Sequence, residues 1–109
     1  MANTFKLKTK ANVGVTTVGI YTAPAATTTV VIGITLANTS GSGVNVGVGI
    51  TRAGTTEDVK LLKNAPIPQG SSLEFMGVNK VVLESTDTVT VDSDTNNSID
   101  AALTIMEIT

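Results

Sequence analysis

The chain contains no cysteine, no histidine and no tryptophan. Without cysteine there are no disulfides and no thiolate metal sites. Without histidine the commonest general base and the commonest metal ligand are gone. One tyrosine and two phenylalanines are the whole aromatic complement, too few for a platform that stacks bases or sugar rings. Charge is scarce too. Only 15% of the residues are Asp, Glu, Lys or Arg, against about 25% in an average domain. Such a surface stays soluble on Thr, Ser, Asn and Gly, and it suits coverage by other chains. The formal net charge is −2 and no basic cluster stands out, which argues against nucleic acid as a partner. No apolar run approaches the length of a membrane span, and the N-terminal MANTFKLKTK lacks the apolar centre of a signal peptide. The expectation is an unprocessed, soluble protein made inside a cell, with no membrane partner.

What is present is Val, Ile, Leu, Thr and Gly. At 109 residues and 41% apolar, the chain is the size of one domain, residues 1–109, with a modest aliphatic core. Nearly every segment alternates at period two. Strands are expected over 4–8, 12–22, 27–38, 44–51, 59–63, 71–77, 80–84, 87–92 and 99–108. Val13 and Val15 share one phase and Val18 and Ile20 the other, which predicts a bulge or kink near Thr16–Thr17. In 27–38, the residues Val30, Ile32, Ile34 and Leu36 share the apolar face. Turns are expected at Pro24, at 39–43, at 53–58, at Gly77–Asn79 and at 93–98. The prolines of NAPIPQG (64–70) exclude a central strand or a helix there. The best helical window, 56–65, stops at Pro66. Short strands rich in Thr, Val and Ile, with turn signals every eight to twelve residues, predict an all-β antiparallel sandwich or jelly-roll-like barrel of about eight short strands.

Several stretches invite a chemical reading. GSGVNVGVGITR (41–52) is rich in glycine, but a dinucleotide loop needs a third Gly where Val46 stands and a helix after it, and a phosphate loop needs a lysine. Strict alternation makes it a strand, with Val44, Val46, Val48 and Ile50 on the core side. Gly47 and Gly49 then strip the other face. Glycine in a strand costs about 0.5–1 kcal/mol relative to alanine, so another backbone is expected close by, from this chain or from a neighbouring subunit. In DSDTNNSID (92–100), Asp92, Asp94 and Asn96 imitate the first ligands of a calcium loop, but Asn97 and Leu103 stand where Gly and Glu are needed. A polar hairpin turn and a looser calcium site both remain open. Glu57–Asp58 and Asp92–Asp94 are carboxylate pairs in turns, with no base or metal ligand beside them. NTS (38–40) and NNS (96–98) are chance matches to glycosylation sites. Lys6, Lys8 and Lys10 fall on one strand face, as a solvated edge or as a phosphate contact.

The order of the motifs resembles a known group. Tyr-Thr-Ala-Pro (21–24), Ile-Pro-Gln-Gly-Ser-Ser-Leu (67–73), Val-Leu-Glu-Ser-Thr-Asp (82–87) and Leu-Thr-Ile-Met-Glu-Ile (103–108) resemble segments that recur in this order in small all-β virion structural proteins of tailed bacteriophages, of the marine and cyanobacterial myovirus type. The likeness spans roughly residues 15–108. Thr86 and Ala26 depart from it, standing where glycine would turn more easily. The resemblance implies a building block without catalytic residues or cofactor, decorating the capsid or attaching neck, baseplate or fibre parts.

The expected function is therefore a non-enzymatic virion component, acting as a multi-copy homo-oligomer with other virion proteins as partners. Closed rings are an economical way to use such a subunit. The expected subunit contacts are Thr35, Asn45, Gly47, Gly49, Ile67 and Gln69, with a core plug under its loop as the other reading of Ile67. The alternative function is a carbohydrate-binding, host-surface adhesion module, in which Tyr21 would carry the sugar.

Overall fold

The alternating segments form nine strands in a computed structural model that describes residues 3–52, 57–75 and 80–109. They are β1 (Asn3–Val13), β2 (Val18–Thr22), β3 (Thr28–Asn38), β4 (Val44–Thr51), β5 (Asp58–Ile67), β6 (Ser72–Phe75), β7 (Val81–Leu83), β8 (Thr88–Ser93) and β9 (Ile99–Ile108). One antiparallel sheet has the order β1-β9-β3-β6, with β7 also on β3, and the other has the order β2-β8-β4-β5. β6 faces Ile34–Ala37 and β7 faces Thr29–Val31. They are two pieces of one strand position along the same edge of β3. Counted that way, the eight positions are those of a jelly roll, in which the chain passes back and forth between two sheets.

The core is aliphatic because the inner faces carry the β-branched and leucine positions. Val31, Ile34 and Leu36 of β3, Val44, Val46, Val48 and Ile50 of β4, Val89 and Val91 of β8, and Ile99, Leu103 and Ile105 of β9 are buried together. Fully burying one such side chain stabilises by about 1.5–3 kcal/mol. Tyr21 is the only aromatic among the buried core residues described.

The structure corrects one phase assignment. In β3 the register against β9 shifts between Val31 and Gly33. Ile32 is the extra residue, so Thr29 and Val31 point inward before it and Ile34, Leu36 and Asn38 after it. Val30 and Ile32 therefore leave the core, because a bulge reverses the facing of everything on one side of it. Near Thr16–Thr17 the expected kink is present, as bends at Val15 and Thr16. The chain leaves the first sheet after Val13 and enters the second at Val18, and the bulge lies later, between Gly19 and Tyr21. The window 56–65 is strand from Asp58 onward, not helix. NAPI continues β5, which among the described residues pairs only with β4 and so is an edge, the place where proline is tolerated. Most of the turn expected at 53–58 and the break at Gly77–Asn79 lie outside the described residues.

The two departures from the phage-like pattern are both strained. Ala26 has φ 57° and Thr86 φ 68°, the left-handed region that glycine enters freely and a β-branched residue rarely does. The turn at Thr86 is held by Asp87, whose Oδ2 accepts from the Glu84 amide at 3.0 Å, and by the Thr86 amide donating to the Ala23 carbonyl at 2.8 Å.

Candidate assembly surface

The stripped face of β4 is covered by this chain. A Cβ on Gly49 would lie 3.0 Å from the Val59 carbonyl oxygen and 3.2 Å from Thr90 Oγ1. One on Gly47 would lie 3.3 Å from the Leu62 carbonyl and would collide with the Asp92 carboxylate. β5 slips its register twice opposite these residues, between Val46 and Val48 and between Val48 and Gly49. The slips lower its carbonyls onto β4, and only glycine leaves them room. The backbone that comes close is thus β5 of the same molecule.

The other residues expected to contact a neighbour fall in three places. Asn45 is exposed near the start of β4, its amide donating to Asp94 Oδ1 at 3.2 Å. Gln69 is exposed in the loop after β5, whereas Ile67 is buried, 1% exposed, in the core. The plug reading therefore describes its surroundings. Asn38 fixes this loop: its Nδ2 donates to the carbonyls of Ile67 at 3.0 Å, Pro68 at 3.2 Å and Ser42 at 2.8 Å. That amide is buried and engaged, so NTS at 38–40 does not present a glycosylation site.

Thr35 lies at the centre of the outer face of the β1-β9-β3-β6 sheet. An open depression of about 490 Å³ is lined there by Ile32, Gly33, Thr35, Phe75, Ala102 and Thr104. A second, of about 330 Å³, adjoins it over Thr9, Ala11, Ala37 and Asp100. The register aligns an apolar row across four strands beside them. Phe5 pairs with Met106, Met106 with Val30, and Val30 with Val82. The ends of this row are open, Phe5 at 69% exposed and Val82 at 57%, and Leu7 next to Phe5 is 64% exposed. Exposed apolar side chains grouped on one face mark a contact surface more than scattered ones do. Sequence reasoning missed this row. The signal was available in TFKLK: on an edge strand the lysines can take the inner face and leave Phe5 and Leu7 outside.

Lys6, Lys8 and Lys10 do take the inner face, paired in register with the core residues Ile105, Leu103 and Ala101. Their stems cover the seam toward β2. Lys6 Nζ lies 2.9 Å from Glu107 Oε1, and Lys8 Nζ lies 6.0 Å from the centre of the Tyr21 ring. The Tyr21 hydroxyl donates to Glu107 Oε2 at 2.6 Å and contacts Thr29 Oγ1 at 2.8 Å. The Tyr21 hydrogen bond, with Lys6 after it, holds the Glu107 carboxyl below its ordinary 4.5. Burial, reinforced by the bond to Glu107, pushes the Tyr21 phenol up to about 12. The group is a neutral phenol on a carboxylate, which ties the first phage-like motif to the last. Because Tyr21 is buried and its hydroxyl engaged, it has no ring face to offer a sugar.

Arg52 bridges Glu84 Oε1 at 3.0 Å and Asp87 Oδ2 at 3.2 Å. Asp92 Oδ2 accepts from Thr17 Oγ1 at 3.1 Å, Asp94 Oδ1 from Thr95 Oγ1 at 3.0 Å, and Asn96 Oδ1 from the Val15 amide at 3.5 Å. The oxygens of the calcium-like stretch thus have separate partners and share no centre. Among the described residues no three acidic side chains are grouped to hold a metal ion.

Comparison with known proteins finds no matching family model and no curated protein. Solved structures do match in fold. A protein of Bacillus endospore appendages, described as a family of disulfide-linked pili, shares 16% identity at a TM-score of 0.57, over 99% of this chain and 87% of its own. A protein from the acid-stable capsid of Helicobacter pylori bacteriophage KHP30 shares 11% identity at 0.58, over 98% and 87%. A protein of the T13 IBDV viral particle shares 14% identity at 0.60, over 96% of this chain but 30% of its own. At such identities the likeness is one of fold: this chain is an all-β jelly roll of the kind that these pilus, capsid and viral-particle proteins contain.

Proposed function

We propose that the chain is a non-enzymatic structural subunit of a tailed-phage virion, used in many copies to decorate the capsid or to attach neck, baseplate or fibre parts. The observation that carries this reading is the apolar row Phe5–Met106–Val30–Val82 on the outer face of the β1-β9-β3-β6 sheet, open at both ends. A sandwich whose exposed sheet face carries an apolar row and whose surface is poor in charge is suited to coverage by neighbours. The jelly rolls of assembled particles and a pilus, together with the order of the phage-like motifs, support the same role. Thr35, Asn45 and Gln69 are the proposed contacts whose side chains reach the surface. Gly47, Gly49 and Ile67 act beneath it, shaping β4, β5 and the loop. Size-exclusion chromatography with light scattering tests the reading, combined with sedimentation alongside tailed-phage particles. The expected result is a discrete oligomer or saturable binding to particles. A strict monomer at high concentration with no affinity for particles overturns it.

A further inference from the structure

Among the described residues the sandwich has four sheet edges, and three of them are broken. β5 carries Pro66 and two register slips. β2 is five residues long and bulged at Ile20. β6 and β7 are four and three residues long. The fourth edge, β1, runs for eleven residues, and Asn3 to Lys10 match Ile108 to Ala101 one to one without a slip. Among the described residues β1 pairs with β9 alone. Its other side presents a regular row of backbone donors and acceptors, the template for an added strand.

The two faces of this edge differ in chemistry. On the inner face Lys6, Lys8 and Lys10 recur about every 6.8 Å, the repeat of alternate residues in a strand. Lys6 is shared with Glu107 and Lys8 leans on the Tyr21 ring. On the outer face Phe5 and Leu7 stand exposed. A strand laid along β1 would have its own alternate residues beside the lysines, and the residues between them beside Phe5 and Leu7.

We propose that β1 is a docking edge for an extended segment of a partner protein that carries carboxylates at every second position and apolar residues between them. Backbone pairing supplies the affinity. The carboxylates meet the lysine row, and the apolar residues cover Phe5 and Leu7. A second copy does not fit: β1 against β1 sets lysine opposite lysine, which is destabilising, and Asp92 and Asp94, this chain's own carboxylates at period two, are already held in β8 and the turn after it. A nucleic acid would use the lysines but leave the open backbone and the two apolar side chains bare. The lysine row thus bars self-pairing and selects an acidic strand.

The test uses the intact protein and a fluorescent nine-residue peptide of alternating valine and glutamate, followed by anisotropy. Saturable binding is expected, weakened about tenfold by Lys10→Glu, the loss of one close charge pair. Lys8→Gln, a milder change, is expected to weaken it less. Both variants are checked for unchanged melting. The same peptide N-methylated at alternate amides is expected not to bind, since it cannot pair along the edge. No saturable binding overturns the proposal. So does equal binding of the N-methylated peptide or of a valine–lysine peptide, and so does a single-stranded oligonucleotide that binds where the acidic peptide does not. The assay reads one subunit, so its failure leaves the particle role proposed above to be judged by its own experiment.

Discussion

The edge strands β5 and β1 lie on opposite sides of the sandwich and treat their open backbone in opposite ways. β5 is irregular: Pro66 removes a donor, Asn64 turns through φ 55°, and the register slips twice. β1 is straight and fully in register over its first eight residues. The irregularity of β5 is inseparable from Gly47 and Gly49, because its carbonyls descend into the space where those residues lack a Cβ. What looked like a face stripped for a partner is the bed of a sealed edge. β1 has no such bed, and its protection is the charge of three lysines. A bulge refuses every strand. Charge refuses only like charge, is screened by salt and yields to opposite charge. One edge is closed by shape and the other is kept selective.

Substitutions can break or sharpen this contrast. Gly49→Val forces the Val59 carbonyl and Thr90 off β4 and should cost about 3 kcal/mol, the upper range for overpacking, measured by urea unfolding. A loss near zero would mean that β5 is not seated as described. Tyr21→Phe removes the hydrogen bond to the Glu107 carboxylate and should cost about 2 kcal/mol, as for a hydrogen bond to a charged group. The same change should move the Glu107 titration up toward 4.5 in a carboxyl NMR experiment.

The pH dependence of the β1 side follows from these shifts. Glu107 is lowered in the fold, so its contribution is present above 4.5 and is lost as pH falls through the lower folded value. Tyr21 is raised, so its contribution is whole below 10.0 and is lost as pH climbs toward about 12. Protection against hydrogen exchange, corrected for the intrinsic rate at each pH, should therefore fall in β1 at a higher pH than it does in β5, and Glu107→Gln should abolish that difference. Away from both edges, Thr86→Gly should stabilise by about 1 kcal/mol by relieving the left-handed strain, read as a higher melting temperature. The smallest effect is expected at Phe5→Ser. This is a large apolar residue whose removal should change stability by less than about 0.5 kcal/mol, because it is exposed. A larger loss would make Phe5 part of the fold and not of its surface.

The sequence was informative where a short-range rule decides the outcome. Period two located the strands and set Val44, Val46, Val48 and Ile50 inward. The departures from a glycine pattern at Ala26 and Thr86 foretold two positive φ angles. It was silent where a single extra residue changes the facing. TTTVVIGITLAN does not say that the bulge falls at Ile32, because Val30, Val31 and Ile32 are all apolar and suit either face. The candidate surface was harder still. Thr35 and Asn45 were recognisable as outward-facing, but covering Gly47 and Gly49 depends on two slips in a strand more than ten residues away. The outward turn of Phe5 and Leu7 depends on which face β9 presents to β1. Both are properties of a pairing, and pairing is not written in either strand alone.

The alignment of Asn3 with Ile108 joins the two ends of the described chain in one ladder. β9 sits between β1 and β3, so neither of those strands has its full set of neighbours until β9 is in place. Until β9 arrives, the core residues Val31, Ile34 and Leu36 lack Ile105, Leu103 and Ala101 beside them. Pairings this distant in sequence close slowly and expose apolar strands while they wait. The kinetic bottleneck of such a chain is the arrival of β9. Truncation within 99–108 should yield aggregates, not a smaller folded unit.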